Sequence, residues 1–237
     1  MTKAPRAGLV KTRLTPPLSA EEAAALNICF LRDLSASIDK AGSHSLGIGC
    51  YTPVGSEEVY RDILPERFEL IAQREGDFGH RLAGAVEDLL SIGFAATCLI
   101  NSDSPTAPPA VFAEAARILS MPNEQLVLGP SEDGGYYLIG MKKLHPRLFE
   151  EIDWSTDRVL AQTRARASEL GLKVHLLPVC YDVDDQSTLH KLCDELLAPN
   201  ESEEPEIAPA TRAFLRVIVA REGRERIWPV APAQPAR

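Results

Sequence analysis

Four short stretches of the sequence hold the residues best suited to chemistry. The first is Lys3-Ala-Pro-Arg-Ala-Gly-Leu-Val-Lys11-Thr12-Arg13-Leu14, a turn-rich loop with cationic side chains at Lys3, Arg6, Lys11 and Arg13. Arginine can grip phosphate oxygens with two parallel N–H groups, while lysine supplies a compact positive charge. A P-loop is excluded, because Val10 rather than glycine precedes Lys11-Thr12 and the upstream glycine is missing. A solvated basic turn is the alternative reading. The second stretch, Asn101-Ser102-Asp103-Ser104-Pro105, follows an apolar run. A carboxylate at the end of a buried strand is well placed to hold Mg²⁺ or Mn²⁺ together with phosphate oxygens, although Asp103 could instead cap the following turn.

The third stretch is Gly129-Pro-Ser-Glu-Asp133-Gly134-Gly135-Tyr136-Tyr137. Gly134 and Gly135 allow close backbone approach to a ligand, and Glu132 and Asp133 could orient hydroxyl groups or move a proton. Asp-Gly is equally a strong hairpin signal. The fourth is Tyr181-Asp182-Val183-Asp184-Asp185. In an extended segment Asp182 and Asp184 share a face, where they repel unless a cation lies between them. Asp185 could serve only as a helix N-cap.

Strands and helices must bring these stretches together. Ser19 and Glu22 form a capping-box pattern ahead of Ala23, Leu26, Phe30, Leu31, Leu34 and Ile38, which recur at helical spacing. Residues 45–51, 68–73, 95–100, 125–128, 137–141 and 173–178 read as strands, with 95–100 buried on both faces. Helices are expected over 56–64, from a cap at Asp77 to about 90, over 108–119, from Ser155 to about 170, and over 185–197. Alternating strands and helices predict a parallel or mixed sheet covered on both faces. Ligands bind such sheets at the carboxyl ends of the strands, where the candidate loops fall. Residues 199–209 turn to Glu, Ser and Pro and read as a linker. Residues 210–221 could form an amphipathic tail helix with Phe214, Leu215, Ile218 and Val219 as its apolar face, and 229–237 a frayed end.

Bulk properties narrow the partners. The chain has 237 residues, 45% hydrophobic and 25% charged, as expected of a globular protein. Its net charge of −9, from 34 acidic and 25 basic residues, argues against nucleic acid, whose phosphates call for the opposite balance. Cys29, Cys50, Cys98, Cys180 and Cys193 have no paired or zinc-like spacing, which predicts buried thiols in a reducing cytoplasm. His44, His80, His145, His175 and His190 lack metal-ligand spacing. Neither a signal peptide nor an apolar run long enough to span a membrane is expected.

The motifs gain weight from their order. Lys-x-Pro-x-x-Gly-x-Val-Lys-Thr-Arg-Leu at 3–14, Gly-Asp-Phe-Gly-x-Arg at 76–81, Ser-Asp-Ser-Pro at 102–105, Gly-Pro-x-x-Asp-Gly-Gly-Tyr-Tyr-Leu-Ile-Gly at 129–140 and Asp-Val-Asp at 182–184 occur in sequence. Over residues 3 to about 197 this resembles the DUF2064 family of nucleotide-diphospho-sugar transferase-like proteins. It is more distantly similar to guanylyltransferases that act on phospholactate. The resemblance implies a glycosyltransferase A-type fold: a single-domain three-layer α/β/α protein over residues 1–198 with a mostly parallel sheet. It implies that Lys3, Lys11 and Arg13 face nucleotide phosphates and that Asp77 and Arg81 border the nucleotide. Asp103, with Asp184 as a second ligand, would hold the metal, and Asp133, Gly134 and Gly135 would form the acceptor side.

Two departures stand out. Relatives carry an apolar strand before the Lys-x-Pro loop, so either the start is misassigned or another segment is expected to fill that central place. Thr188 also replaces an acid common in the late motif, which is expected to alter helix capping rather than chemistry. The expected activity is metal-dependent sugar transfer from a nucleotide diphosphate sugar to a small acceptor. Lys11 and Arg13 would stabilise the leaving group, and Asp133 would orient the acceptor or act as base. The alternatives are nucleotidyl transfer from an NTP with release of pyrophosphate, and a non-catalytic nucleotide-binding module.

Overall fold

Local signals start most of the elements. In the computed structural model, which describes residues 1–42, 45–198 and 207–229, Ser19 and Glu22 cap each other's backbone ahead of α1 (Ala20–Asp39). Asp77 accepts the amide of His80 and opens α2 (Phe78–Ser91). Pro109 begins α3 (Pro109–Ser120), where its lack of an N–H costs nothing. Asp185 and Thr188 form a second reciprocal cap at α5 (Gln186–Leu197), so Thr188 does serve helix capping. One start differs from expectation: α4 runs Val159–Glu169, and Ser155 lies in a turn at φ +64°. Residues 57–60 form only a short 3₁₀ turn.

Among the described residues seven strands make two ladders. β1 (Thr2–Lys3), β2 (Ile48–Thr52) and β3 (Glu69–Ala72) are parallel, in the order β1-β2-β3. β4 (Thr97–Ile100), β5 (Gln125–Pro130), β6 (Tyr136–Met141) and β7 (Lys173–Leu176) are ordered β4-β6-β5-β7. Of the described strands only β6 runs against its neighbours, paired with β4 on one side and β5 on the other, while β5 and β7 are parallel. The Asp-Gly signal is thus a true hairpin turn between β5 and β6.

Alternation along the strands builds three layers. Leu126, Leu128, Ile139 and Leu99 pack with Leu82, Ala85 and Val86 of α2 and Ala167 of α4. Val127 and Leu138 face the other way, onto Val111, Phe112, Ala115 and Leu119 of α3 and Leu34 of α1. β4 departs from the expected burial on both faces, since Cys98 and Ile100 are only half-buried. The reason lies beside it. β1 is two residues long and sits between β2 and β4, where the Met1 amine donates to Ile100 O at 2.7 Å. Among the described residues no other segment fills the rest of that place; an apolar cleft of about 370 Å³ lies there instead.

A third cluster joins the ends of the chain. α6 (Pro209–Glu222) buries Leu215 and Ile218 against Leu26 and Phe30 of α1 and Leu192 and Leu196 of α5, with Phe214 and Val219 packed beside them. This is the apolar face predicted for the tail helix. Buried Asp33 of α1 accepts the amides of Ala210 at 2.9 Å and Thr211 at 2.8 Å, capping α6 across the fold. Most of the expected linker (199–206), the end of the frayed segment (230–237) and His44 lie outside the described residues. The cysteines are free; Cys29, Cys50 and Cys193 are buried, whereas Cys98 and Cys180 are half-buried. Among the described residues no helix is long and apolar enough to cross a membrane.

The cap makes a direct prediction. Asp33→Ala removes two acceptors and a negative charge at a helix N-terminus, so it should cost about 2 kcal/mol and lower Tm by roughly 4–8 °C. An unchanged melting curve would show that α6 does not depend on this cap.

Candidate active site

The carboxyl ends of β1 and β4 open on one pocket of about 220 Å³, lined by Lys3, Lys11, Thr12, Arg13, Asn27, Ser102, Asp103 and Asp184. Its centre is the Lys11 ammonium. That group forms ion pairs with Asp103 Oδ1 and, at 3.1 Å, with Asp184 Oδ1, and donates to the Val183 carbonyl at 2.9 Å. The Lys11 side chain is only 5% exposed. Burial alone would lower its pKa, but the two carboxylates outweigh that loss of solvation and raise it. Lys11 also has a left-handed backbone, φ 48° and ψ 36°, at the start of the 3₁₀ turn Thr12–Leu14. A non-glycine residue holds that conformation at a cost of about 1–2 kcal/mol. Its carbonyl accepts the Leu14 amide at 2.9 Å, and Leu14 is buried in the core.

Arg13 sits on the open side, its side chain 70% exposed, and donates to Asp184 Oδ2 at 2.9 Å. Asp184 therefore carries Lys11 on one oxygen and Arg13 on the other. The cation that must separate paired carboxylates is here an ammonium, and the pair it bridges is Asp103 and Asp184. Asp182 lies one alternation back, with fully buried Val183 between. Its Oδ1 accepts from Asn101 Nδ2 at 2.7 Å and from the Ser104 hydroxyl. Burial raises the Asp182 pKa, and these two donors partly oppose the shift. A backbone bond from Val183 N to Asp103 O at 2.8 Å closes the seam between the two loops.

The turn-capping role that Asp103 could have had belongs to Asn101. Asn101 Oδ1 accepts from Asp103 N at 3.3 Å and from Ser104 Oγ at 3.2 Å, leaving the Asp103 carboxylate for Lys11. Asn27 was not legible as a site residue. It sits on the inner face of α1 at the pocket wall, 3% exposed, and its Oδ1 has no hydrogen-bond partner among the described residues. Nothing in the helical pattern separates a buried polar wall residue from a core position; only its polarity there was a signal.

The other expected residues stand outside this pocket. Asp77 is the exposed cap of α2, paired with His80 Nδ1 at 2.9 Å; the His80 backbone amide is the main cause of its lowered pKa. The Arg81 guanidinium stacks 5.5 Å from the Phe78 ring, and its buried Nε has no partner among the described residues. Asp133 accepts the Gly135 amide at 2.9 Å and so braces the hairpin turn. Gly134, at φ +86°, packs so closely that an added Cβ would lie 2.2 Å from Asp157 O, and its own carbonyl accepts the Leu160 amide. These two glycines shape the turn and dock it on the start of α4.

Among the described residues no group of three or more His, Cys, Asp or Glu side chains is placed to hold a metal. Asp103 and Asp184 are nevertheless neighbours, since the Lys11 ammonium bridges them, and it engages only Oδ1 of each. Two carboxylates completed by ligand phosphate oxygens suit Mg²⁺ or Mn²⁺, so the donor set fits a hard dication bound together with a phosphate ligand.

Comparison with known proteins bears on the fold and the family. A crystal structure from Desulfovibrio desulfuricans G20, described as a "putative nucleotide-diphospho-sugar transferase", superposes with a TM-score of 0.79 at 29% identity, covering 94% of this chain and 95% of that one. A CMP:2-keto-3-deoxy-manno-octonic acid synthetase complexed with CTP shares the fold at a TM-score of 0.50 and 10% identity, over 71% of this chain and 87% of its own. No curated protein matches the sequence. The model of DUF2064, "Uncharacterized protein conserved in bacteria", matches residues 37–156, and the chain belongs to that family.

Proposed function

We propose that the protein is a metal-dependent transferase that moves a sugar from a nucleotide diphosphate sugar to a small-molecule acceptor. The observation that carries this reading is the convergence of Lys11, Arg13, Asp103 and Asp184 on one pocket at the carboxyl ends of the central strands. In sugar transfer from such a donor the departing group is an anionic diphosphate, and fixed positive charge where that anion develops lowers the barrier. Similarity along nearly the whole chain to the D. desulfuricans protein supports the donor class.

Each residue has a part in that chemistry. Arg13, exposed at the mouth, can exchange Asp184 for diphosphate oxygens. Lys3, exposed on the same rim, adds long-range attraction for a polyanion. The Lys11 ammonium, desolvated and held by three partners, is a fixed positive charge on the pocket floor. Through the oxygens that Lys11 does not engage, Asp103 Oδ2 and, once Arg13 turns to the diphosphate, Asp184 Oδ2, the two carboxylates would hold Mg²⁺ or Mn²⁺, which when bound supplies Lewis-acid charge to the leaving diphosphate. Asp133 spends one oxygen on the Gly135 amide and keeps the other for an acceptor hydroxyl. Asp77 and Arg81 would border the nucleotide from the start of α2.

Nucleotidyl transfer would use the same charges against departing pyrophosphate, so product identity distinguishes the two. Incubated with nucleotide sugars, nucleoside triphosphates and Mn²⁺, the protein should release nucleoside diphosphate from a sugar donor. Pyrophosphate released from a triphosphate instead would overturn sugar transfer. If no nucleotide with Mn²⁺ moves the melting temperature, both enzyme readings fail. Asp103→Ala should abolish Mn²⁺-dependent nucleotide binding in calorimetry; undiminished binding removes Asp103 from the metal site. Arg13→Ala should weaken diphosphate ligands roughly tenfold while leaving the bare nucleoside nearly unaffected. Equal losses for both ligands would contradict a phosphate contact.

A further inference from the structure

One polar side chain at the pocket wall has no part in the ionic network around Lys11. Asn27 shares its face of α1 with Ala23, Phe30 and Leu31, all buried, and is itself 3% exposed. Its Oδ1 accepts no hydrogen bond among the described residues, and an unsatisfied buried amide oxygen costs about 1–3 kcal/mol. The charged group beside it does not meet that need. Phe30, one turn along the same helix, carries the Lys11 ammonium 5.4 Å from its ring centroid. Yet the three N–H bonds of that ammonium already go to Asp103 Oδ1, Asp184 Oδ1 and the Val183 carbonyl.

We propose that Asn27 is a specificity-determining residue whose amide oxygen accepts a ribose hydroxyl of the bound nucleotide diphosphate, a role that rests on this pocket being the donor site. The chemistry of the pocket narrows the ligand group. A diphosphate brings no hydrogen for an amide oxygen to accept, whereas a hydroxyl does. Lys3, Lys11 and Arg13 attract the diphosphate, and Asp103 and Asp184 already supply negative charge beside it. A third carboxylate on the wall would repel the same anion. An amide accepts a hydroxyl without adding charge. Ribose is the hydroxyl-bearing unit that ribonucleotide donors share, whatever their base and sugar.

Asparagine here costs stability without a structural return. Apolar replacement of an unpaired buried polar group is neutral or stabilising, whereas removing a paired one destabilises. The sign of the stability change therefore separates a residue kept for a ligand from one kept for the fold. The planar amide turns about its last side-chain bond at little cost, so a ligand at the pocket wall can draw the oxygen outward.

The test is calorimetric binding to the full chain and to Asn27→Leu, Asn27→Ala and Asn27→Asp, each with Mg²⁺. The ligands are inorganic pyrophosphate, then ADP, GDP, CDP and UDP with their 2′-deoxy and 3′-deoxy forms. The preferred ribonucleotide should bind the unaltered chain roughly five- to tenfold more tightly than one of its deoxy forms. Asn27→Leu and Asn27→Ala should erase that preference while leaving pyrophosphate affinity within about twofold. Asn27→Leu should melt no lower than the unaltered chain, and Asn27→Asp should weaken pyrophosphate and nucleotides alike. A ribose preference that survives both apolar substitutions would overturn the proposal. So would equal loss of pyrophosphate and nucleotide binding in them, which assigns the amide to the phosphates or the metal. A lowered Tm in both would assign it to the fold and overturn the proposal as well. Absence of any nucleotide binding to the unaltered chain would remove the donor site and the role of Asn27 together, whereas binding without a ribose preference overturns the role of Asn27 alone.

Discussion

One buried ammonium holds the candidate site together. Asp103 and Asp184 lie far apart along the chain, and each would repel the other across the pocket without a cation between them. Lys11 supplies that cation from a third segment, so the first loop, the loop after β4 and the segment before α5 share a single electrostatic joint. Breaking one arm of such a pair leaves an uncompensated charge where water is scarce, which is far more costly than losing a surface ion pair. The neighbouring contacts follow from this joint. Asp182 can be buried because Asn101 and Ser104 donate to it, and both donors belong to the loop that Lys11 pins through Asp103. The left-handed backbone at Lys11 is tolerable because its side chain is anchored at one end and Leu14 at the other.

Much of this was legible in the sequence wherever the cause was local. The reciprocal cap of Ser19 and Glu22, the Asp77 and Asp185 caps and the apolar stripe of α6 each depend on residues within a turn or two. The structure places all of them as read. The start of α4 was misjudged because Ser155 looks like a cap, yet Gly134 crosses that turn and bonds to Leu160, a partner more than twenty positions away. Burial of β4 on both faces was inferred from its apolar run, but accessibility depends on which strand stands beside it. The site divides in the same way. Convergence of the first basic loop with Asp103 and Asp184 followed from the order of motifs. That an ammonium fills the space between the carboxylates, that Asn101 rather than Asp103 caps the turn, and that Asn27 forms a wall are tertiary facts with no short-range signature.

Fold and site chemistry are coupled through direction. Parallel strands aim their carboxyl ends at the same edge, so loops distant in sequence become neighbours without any local code. β6, the one reversed strand, contributes differently: its hairpin with β5 places Asp133, Gly134 and Gly135 in a turn that is docked onto α4. Two kinds of surface result, a charged floor under the first loop and a rigid turn beyond it.

The reach of Asp33 to the start of α6 changes what the chain beyond α5 is. A helix fastened at its first turn by a carboxylate from α1, and along its side by the same hydrophobic cluster that buries Leu26 and Leu192, is an integral wall of the protein. Ending the chain after α5 would therefore uncover Leu26, Phe30 and Leu192 rather than trim an appendage.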